Sequence, residues 1–281
     1  MKGKFLNALS VILVTVILAA LFYPIVANVI SSQKATRTVT HYQEQVSHLT
    51  QDRVNQLMAQ AKDYNAYIYA KSQHTAFAGA IPNYDQSLNV DETGMMGYLS
   101  IPQIQLKSLP IYHHDDLKSL ELGAGHMAQT SLPIGGVNTH AVLSAHSGRD
   151  NASLFTDLDK LKLGDTFNLH VLDEHLTYKI IQRDIVTPED VSKLSIEKGK
   201  DLVTLITCYP TGVNSHRLLV TGERVPWSGN SPQELVQRNT FGYSFWVILG
   251  SSLSALAGLV ILMIKFCKKS PRKETYAHLK K

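Results

Sequence analysis

Cysteine is almost absent from this 281-residue chain, which has only Cys208 and Cys267. Two such residues cannot build the disulfide framework that stabilises small exported domains. No C-x-x-C or H-x-x-x-H spacing accompanies the twelve histidines. The pattern therefore gives no support for a zinc site, and neither metal nor cofactor is expected. The middle of the chain has no basic patch with interleaved aromatics, which excludes the usual reading of a basic pI of 8.9 as nucleic-acid binding. Internal repeats and low-complexity tracts are also missing. Charge is missing in two places, from Phe5 to Gln33 and from Asn239 to Ile264.

Those two uncharged runs organise the rest. Each is long enough to cross a hydrocarbon layer about 30 Å thick, and Pro24 is tolerated within such a helix. Tyr243 and Trp246 lie near the start of the second run, where an aromatic belt belongs. Lys2 and Lys4 precede the first run; Lys265, Lys268, Lys269, Arg272, Lys273, Lys280 and Lys281 follow the second. The positive-inside rule places both termini in the cytoplasm and everything between the runs outside, in a multi-pass membrane protein. The first run also fits a cleaved signal peptide, but its length and the lack of a small-x-small site favour an uncleaved anchor. The tails carry +2 and +6 of the formal net charge of +4, so residues 5–264 carry −4. The lipid bilayer is thus an expected partner and nucleic acid is not.

The expected divisions are a cytoplasmic start with its anchor (1–33), an outer helical and loop region (34–92), a β-rich domain (93–228), a linker (229–240), a second span (241–264) and a basic tail (265–281). In 34–92 the apolar spacing of Val46, Leu49, Val54, Leu57, Tyr64 and Tyr67 predicts one or two helices. From Gly97 the pattern changes to short β runs: 97–102, 109–112, 140–143, 166–171, 176–181, 203–206 and 218–221. Short helices are predicted at 115–122, 153–161 and 188–194. Many short strands in about 130 residues imply a mostly β barrel or sandwich.

Under this topology Cys208 and Cys267 lie on opposite sides of the membrane and cannot pair. Cys208 is then either a buried small apolar residue or a nucleophile. It closes the run Thr204-Leu205-Ile206-Thr207-Cys208, and Arg217 opens the next strand nine residues later. If these strands are neighbours, the guanidinium faces the thiol, favours the thiolate and can donate to an oxyanion. The alternative is a structural arginine paired with an acid such as Glu223. A thiol nucleophile also needs a proton donor for its leaving group. Eleven histidines lie between the two runs. His146 stands out because it ends the strand that begins at His140 and leads into Ser147-Gly148-Arg149. His126 and His140 are expected to be structural, and His113-His114 a solvated pair.

The run Thr204-Leu205-Ile206-Thr207-Cys208 resembles the T-L-x-T-C signature of sortases, and Asn214 to Gly222 looks like their second active-site strand. Gly125-His126, Ser131-Leu132-Pro133-Ile134-Gly135-Gly136, Thr139-His140 and Leu154-Phe155-Thr156-Asp157-Leu158 are similar to the pilus-assembling class C branch. The resemblance covers about residues 95–225. It implies an eight-stranded sortase-type β-barrel catalytic domain with short helices, preceded by a helical region and flanked by two transmembrane helices. It also implies a catalytic set of His146, Cys208 and Arg217. The implied reaction is transpeptidation of an LPXTG-like sorting signal onto a lysine of a pilin subunit, at a Gram-positive cell envelope. Attachment to peptidoglycan and a non-catalytic assembly role are the rival readings.

Three features depart from that pattern. Ala145 stands where the class usually has glycine before the histidine, and Tyr209-Pro210-Thr211 replaces Thr-Pro-Tyr. The class also usually covers its cysteine with an Asp-Pro-aromatic lid, and no such tripeptide occurs in residues 34–96. The nearest segments are His74-Thr75-Ala76-Phe77 and Ile81-Pro82-Asn83-Tyr84. The site is therefore open or closed by some other contact.

Overall fold

A computed structural model of the chain describes residues 2–149, 152–226 and 250–258. The chain separates into two units, one of residues 1–24 with 244–281 and one of residues 25–243. In the first unit, residues 2–24 belong to a long helix, α1 (Lys2–Ser47), and residues 250–258 are helical. Ile12, Val16 and Phe22 are exposed on α1. Among the described residues no helix is long and apolar enough to cross a membrane. The second expected span, 241–264, lies outside the described residues except for 250–258. Side chains at 1–11, 21, 24 and 25 of the first are also outside them.

The second unit is built on eight strands: β1 (Met95–Ile101), β2 (Leu106–His113), β3 (Ala124–His126), β4 (Thr139–Ser144), β5 (Thr166–Val171), β6 (Glu174–Val186), β7 (Asp201–Tyr209) and β8 (His216–Val225). They close into a barrel in the order β1-β2-β3-β4-β7-β8-β6-β5. Two of the pairings, β2 with β3 and β4 with β7, are parallel. Period-two alternation is plainest in β5, where Phe167, Leu169 and Val171 point inward. They join Leu99, Ile111, Leu143, Tyr178, Leu205 and Val220 among the buried residues that fill the structure. Gly222 is required at the centre of this packing. A Cβ there would come within 2.6 Å of the Phe167 ring and 2.9 Å of Tyr178 Cβ.

The seven predicted β runs all fall on strands. The eighth strand, β3, is only three residues long, and β6 extends to 13. The predicted helix at 115–122 is α3 (Leu117–Leu122), capped by Asp116 accepting from Ser119 N. Those at 153–161 and 188–194 shrink to single 3-10 turns at Leu158–Lys160 and Ser192–Leu194. In the first of these segments Leu154 has a φ of +36°, which interrupts a helical path.

Residues 25–47 of α1 and the helix α2 (Gln51–Ser72) pack on the barrel. Thr50 caps α2 by accepting from Arg53 N. The buried residues Val54, Leu57, Ala61, Tyr64 and Ile68 form one stripe at helical spacing, and they cluster with Met96, Leu132, Ile134, Val171 and Leu172. Within this seam Asn65 behaves like a peptide group. Its amide nitrogen donates to Leu132 O at 3.2 Å, and its oxygen accepts from Leu132 N at 2.6 Å. From α1, Tyr42 reaches Met96 O at 2.9 Å and accepts from Leu172 N at 3.0 Å.

Candidate active site

β7 and β8 pair antiparallel, with Cys208 directly opposite Arg217. The six intervening residues turn at a cis Tyr209–Pro210 bond, and positive φ angles at Gly212 and Asn214 complete the reversal. The pairing type follows from the other edge of β7. Ile206 O accepts from Ala145 N and Cys208 O accepts from Ser147 Oγ, so both carbonyls face β4 rather than β8. Cys208 and Arg217 therefore form a non-hydrogen-bonded pair, the type with the closer side chains and about 4.5 Å between Cα atoms.

Cys208 is half-buried rather than enclosed, which separates it from the packed thiol considered above. Arg217 Nη1 donates to the carbonyls of Asn214 at 3.2 Å and His216 at 3.0 Å. Glu223 lies six positions along β8, about 20 Å away at the rise of an extended strand, and sits opposite Leu202 and Lys179. The structural pairing of Arg217 with Glu223 is thus excluded. The hairpin's own carbonyls orient the guanidinium.

His146 follows β4 and is also half-buried. Its pKa is lowered, first by burial and then by the Arg149 cation, with Glu121 opposing. Its backbone is fixed from the chain that follows. Phe155 N donates to His146 O at 3.0 Å, and Gly148 N donates to Thr156 Oγ1 at 3.0 Å. Gly148 adopts a φ of +69°, and a Cβ there would meet Thr211 Cγ2 at 2.6 Å. The Leu154-Phe155-Thr156 segment and the unusual Thr211 thus act as the mould for the histidine loop. Ala145 needs no special backbone conformation, is 3% exposed, and uses its N–H and C=O on Ile206 and Thr207.

His146, Cys208 and Arg217 line one cleft of roughly 380 Å³. Its floor and walls add Met127, Ile206 and Leu219 from the barrel and Val191 and Leu194 from the 187–194 connection. No residue of 34–96 lines it. The two segments nearest to a lid are held elsewhere: Phe77 packs edge-on against Tyr67, and Tyr84 OH bonds His126 Nδ1 at 2.8 Å.

The other histidines separate by environment. His126 is fully buried, with Nδ1 on Tyr84 and Nε2 on Ser131 O, while His140 bridges Ser195 O and Thr204 Oγ1. Both are structural. His113 departs from expectation. It is 7% exposed, and its ring nitrogens meet Gly94 O and Ser87 O. Of this adjacent pair only His114 is exposed, and it pairs with Asp85 at 2.7 Å.

A family model described as Sortase domain matches residues 99–225. Sortase D of Bacillus subtilis (strain 168) is 35% identical over 138 residues, which cover 48% of this chain and 66% of that protein. The match thus spans just under two thirds of that relative's length. Sortase C1 from Streptococcus agalactiae superposes with a TM-score of 0.63 at 43% identity, covering 68% of this chain and 99% of that one. Clostridium perfringens sortase C, solved with the C-terminal cell wall sorting motif, gives a TM-score of 0.61 at 43% identity, covering 69% and 100%. With a closed eight-stranded barrel of this type and these two class C sortases among its structural neighbours, the chain belongs to the sortase family of cysteine transpeptidases.

Proposed function

We propose that this chain is a membrane-anchored transpeptidase that cleaves an LPXTG-like sorting signal between Thr and Gly and passes the acyl group to a lysine amine of a pilin subunit. The observation that carries the reading is the meeting of Cys208, Arg217 and His146 on one cleft, the first two in register on adjacent strands. The Clostridium perfringens neighbour, solved with its sorting motif, supports the substrate class. The two uncharged runs with basic flanks support anchoring at both ends, with the barrel outside the cell membrane.

In this mechanism the Cys208 thiolate attacks the Thr carbonyl carbon. The oxyanion that develops accepts hydrogen bonds from Arg217, whose guanidinium is already oriented by the hairpin carbonyls. His146 in its protonated form gives its proton to the departing glycine nitrogen, the C–N bond breaks, and a thioacyl enzyme and a free amine result. An imidazole made less basic by burial is a correspondingly better acid for this step. The incoming lysine amine then attacks the thioester. It loses its proton to neutral His146, and the Cys208 thiolate leaves with its electron pair. Enzyme and charge return to their starting state, with one new isopeptide bond formed.

The test uses the full chain in detergent with an LPXTG-type peptide and reads intact mass. Wild type is expected to gain the acyl mass of the peptide up to Thr, and Cys208→Ala to gain nothing. Absence of the adduct from folded wild-type protein, with peptides varied at each position of the signal as well, would defeat the proposal.

A further inference from the structure

β4 and β7 run parallel in register from Thr139↔Asp201 to Ser144↔Ile206, and Ala145 N adds one more bond to Ile206 O. There the two strands part. β7 continues to Tyr209 against β8, whereas the chain after Ala145 turns away through Gly148. His146 stands on one prong of this fork and Cys208 on the other. The backbone ladder that would fix their separation has ended, so something else must hold it.

Two hydroxyls do so in opposite senses. Thr207 Oγ1, on the Cys208 prong, donates to Ala145 O at 2.8 Å. Ser147 Oγ, on the His146 prong, donates to Cys208 O at 2.7 Å. The Thr207 bond closes the base of the fork. The Ser147 bond lies beyond it and joins the residue after the histidine to the peptide unit of the cysteine itself. Cys208 O faces β4, where no further strand residue remains to donate to it.

We infer that Ser147 is a positioning residue that sets the separation of the His146 imidazole and the Cys208 thiol by tying the two prongs of the β4/β7 fork together. This rests on the roles given to His146 and Cys208 above. Ser147 touches neither peptide nor acceptor in this role; it acts through the cysteine's carbonyl. A small displacement of two reacting groups costs far more in rate than in binding, so its loss falls on kcat rather than KM.

The experiment compares Ser147→Thr with Ser147→Val in the full chain. The two side chains share a shape and differ in the hydroxyl, so any difference in folding is visible in their thermal melts. The first readout is the pH profile of iodoacetamide alkylation of Cys208, followed by peptide mapping so that Cys267 is not counted. The second is the rate of thioacyl formation. Ser147→Thr is expected to keep the wild-type profile. Ser147→Val is expected to displace the alkylation midpoint and to slow thioacyl formation about tenfold, with KM for the peptide little changed. Superimposable profiles for the two variants overturn the inference. If wild type forms no thioacyl adduct, the functional reading fails instead, and the alkylation profiles still decide the role of Ser147.

Discussion

Arg217 is held by two backbone carbonyls and opposes the thiol across a strand pair, so its charge and its direction are separable properties. Lysine would keep the charge but lose the planar fork that can bond the hairpin and an oxyanion together. Arg217→Lys is therefore expected to lower kcat for thioacyl formation by about 10²-fold or more while leaving the peptide's KM nearly unchanged. Steady-state kinetics on the peptide give both constants, and a loss confined to KM would assign Arg217 to ground-state binding instead. This residue and Cys208 were legible because nine positions of sequence, with a turn in the middle, bring them together locally. His146 was legible for a different reason, as a histidine at the end of a β run. Ser147 gave no such signal: a serine in a turn is common, and only the fork between two distant strands gives its hydroxyl a task. His113 was misjudged because its adjacent histidine and two acidic neighbours suggest solvent, yet its strand carries it under Ser87 and Gly94.

Among the elements, β3 shows what sequence pattern cannot carry. Ala124-Gly125-His126 has no alternation to detect, and it is a strand because Gly125 permits a close approach: a Cβ there would lie 2.4 Å from His114 O. β6 is legible only at its apolar start, since Gln182-Arg183-Asp184 continue the pairing with half-buried or exposed polar side chains. Buried histidines on β2, β3 and β4 make the barrel sensitive to acid. Burial lowers the pKa of His126 from 6.5 to about 4, and the unfolded chain therefore binds that proton more readily. The stability from keeping His126 neutral is complete above its unfolded pKa and is lost as pH falls from about 6.5 towards 4, roughly 3 kcal/mol in all. His113 and His140 are shifted in the same direction and add to the slope. Urea unfolding at pH 7.5, 5.5 and 4.5 is expected to show a falling midpoint, and His126→Gln to retain only part of the fall. A midpoint independent of pH would contradict this account.

For the folded unit as a whole, the helices are structural members of the barrel. α2 covers Met96, Leu132 and Leu172 with a continuous apolar stripe, and α1 inserts Tyr42, 1% exposed, between β1 and the β5–β6 turn. Replacing Tyr42 by Phe keeps the ring but leaves Met96 O and Leu172 N without that hydroxyl. A loss of about 1–3 kcal/mol in stability is expected, read by chemical denaturation at neutral pH. A change within error would mean that water reaches both groups. The spacing of Val46, Leu49, Val54, Leu57, Tyr64 and Tyr67 within 34–92 predicts one or two helices, and these residues lie on or between α1 and α2. What it could not supply was their partner, because the complementary surface is contributed by strands that lie far along the chain.

The ring of strands has no first or last member. An extended peptide commonly binds a β protein by lengthening a sheet, with its backbone supplying most of the affinity, and a closed ring offers an edge for that only where strands part, as at the β4/β7 fork. On the proposed function, a sorting signal is held mainly by the side chains of the cleft, so that its identity is read residue by residue. The same closure leaves few unpaired strand edges on which copies of this protein could pair with one another.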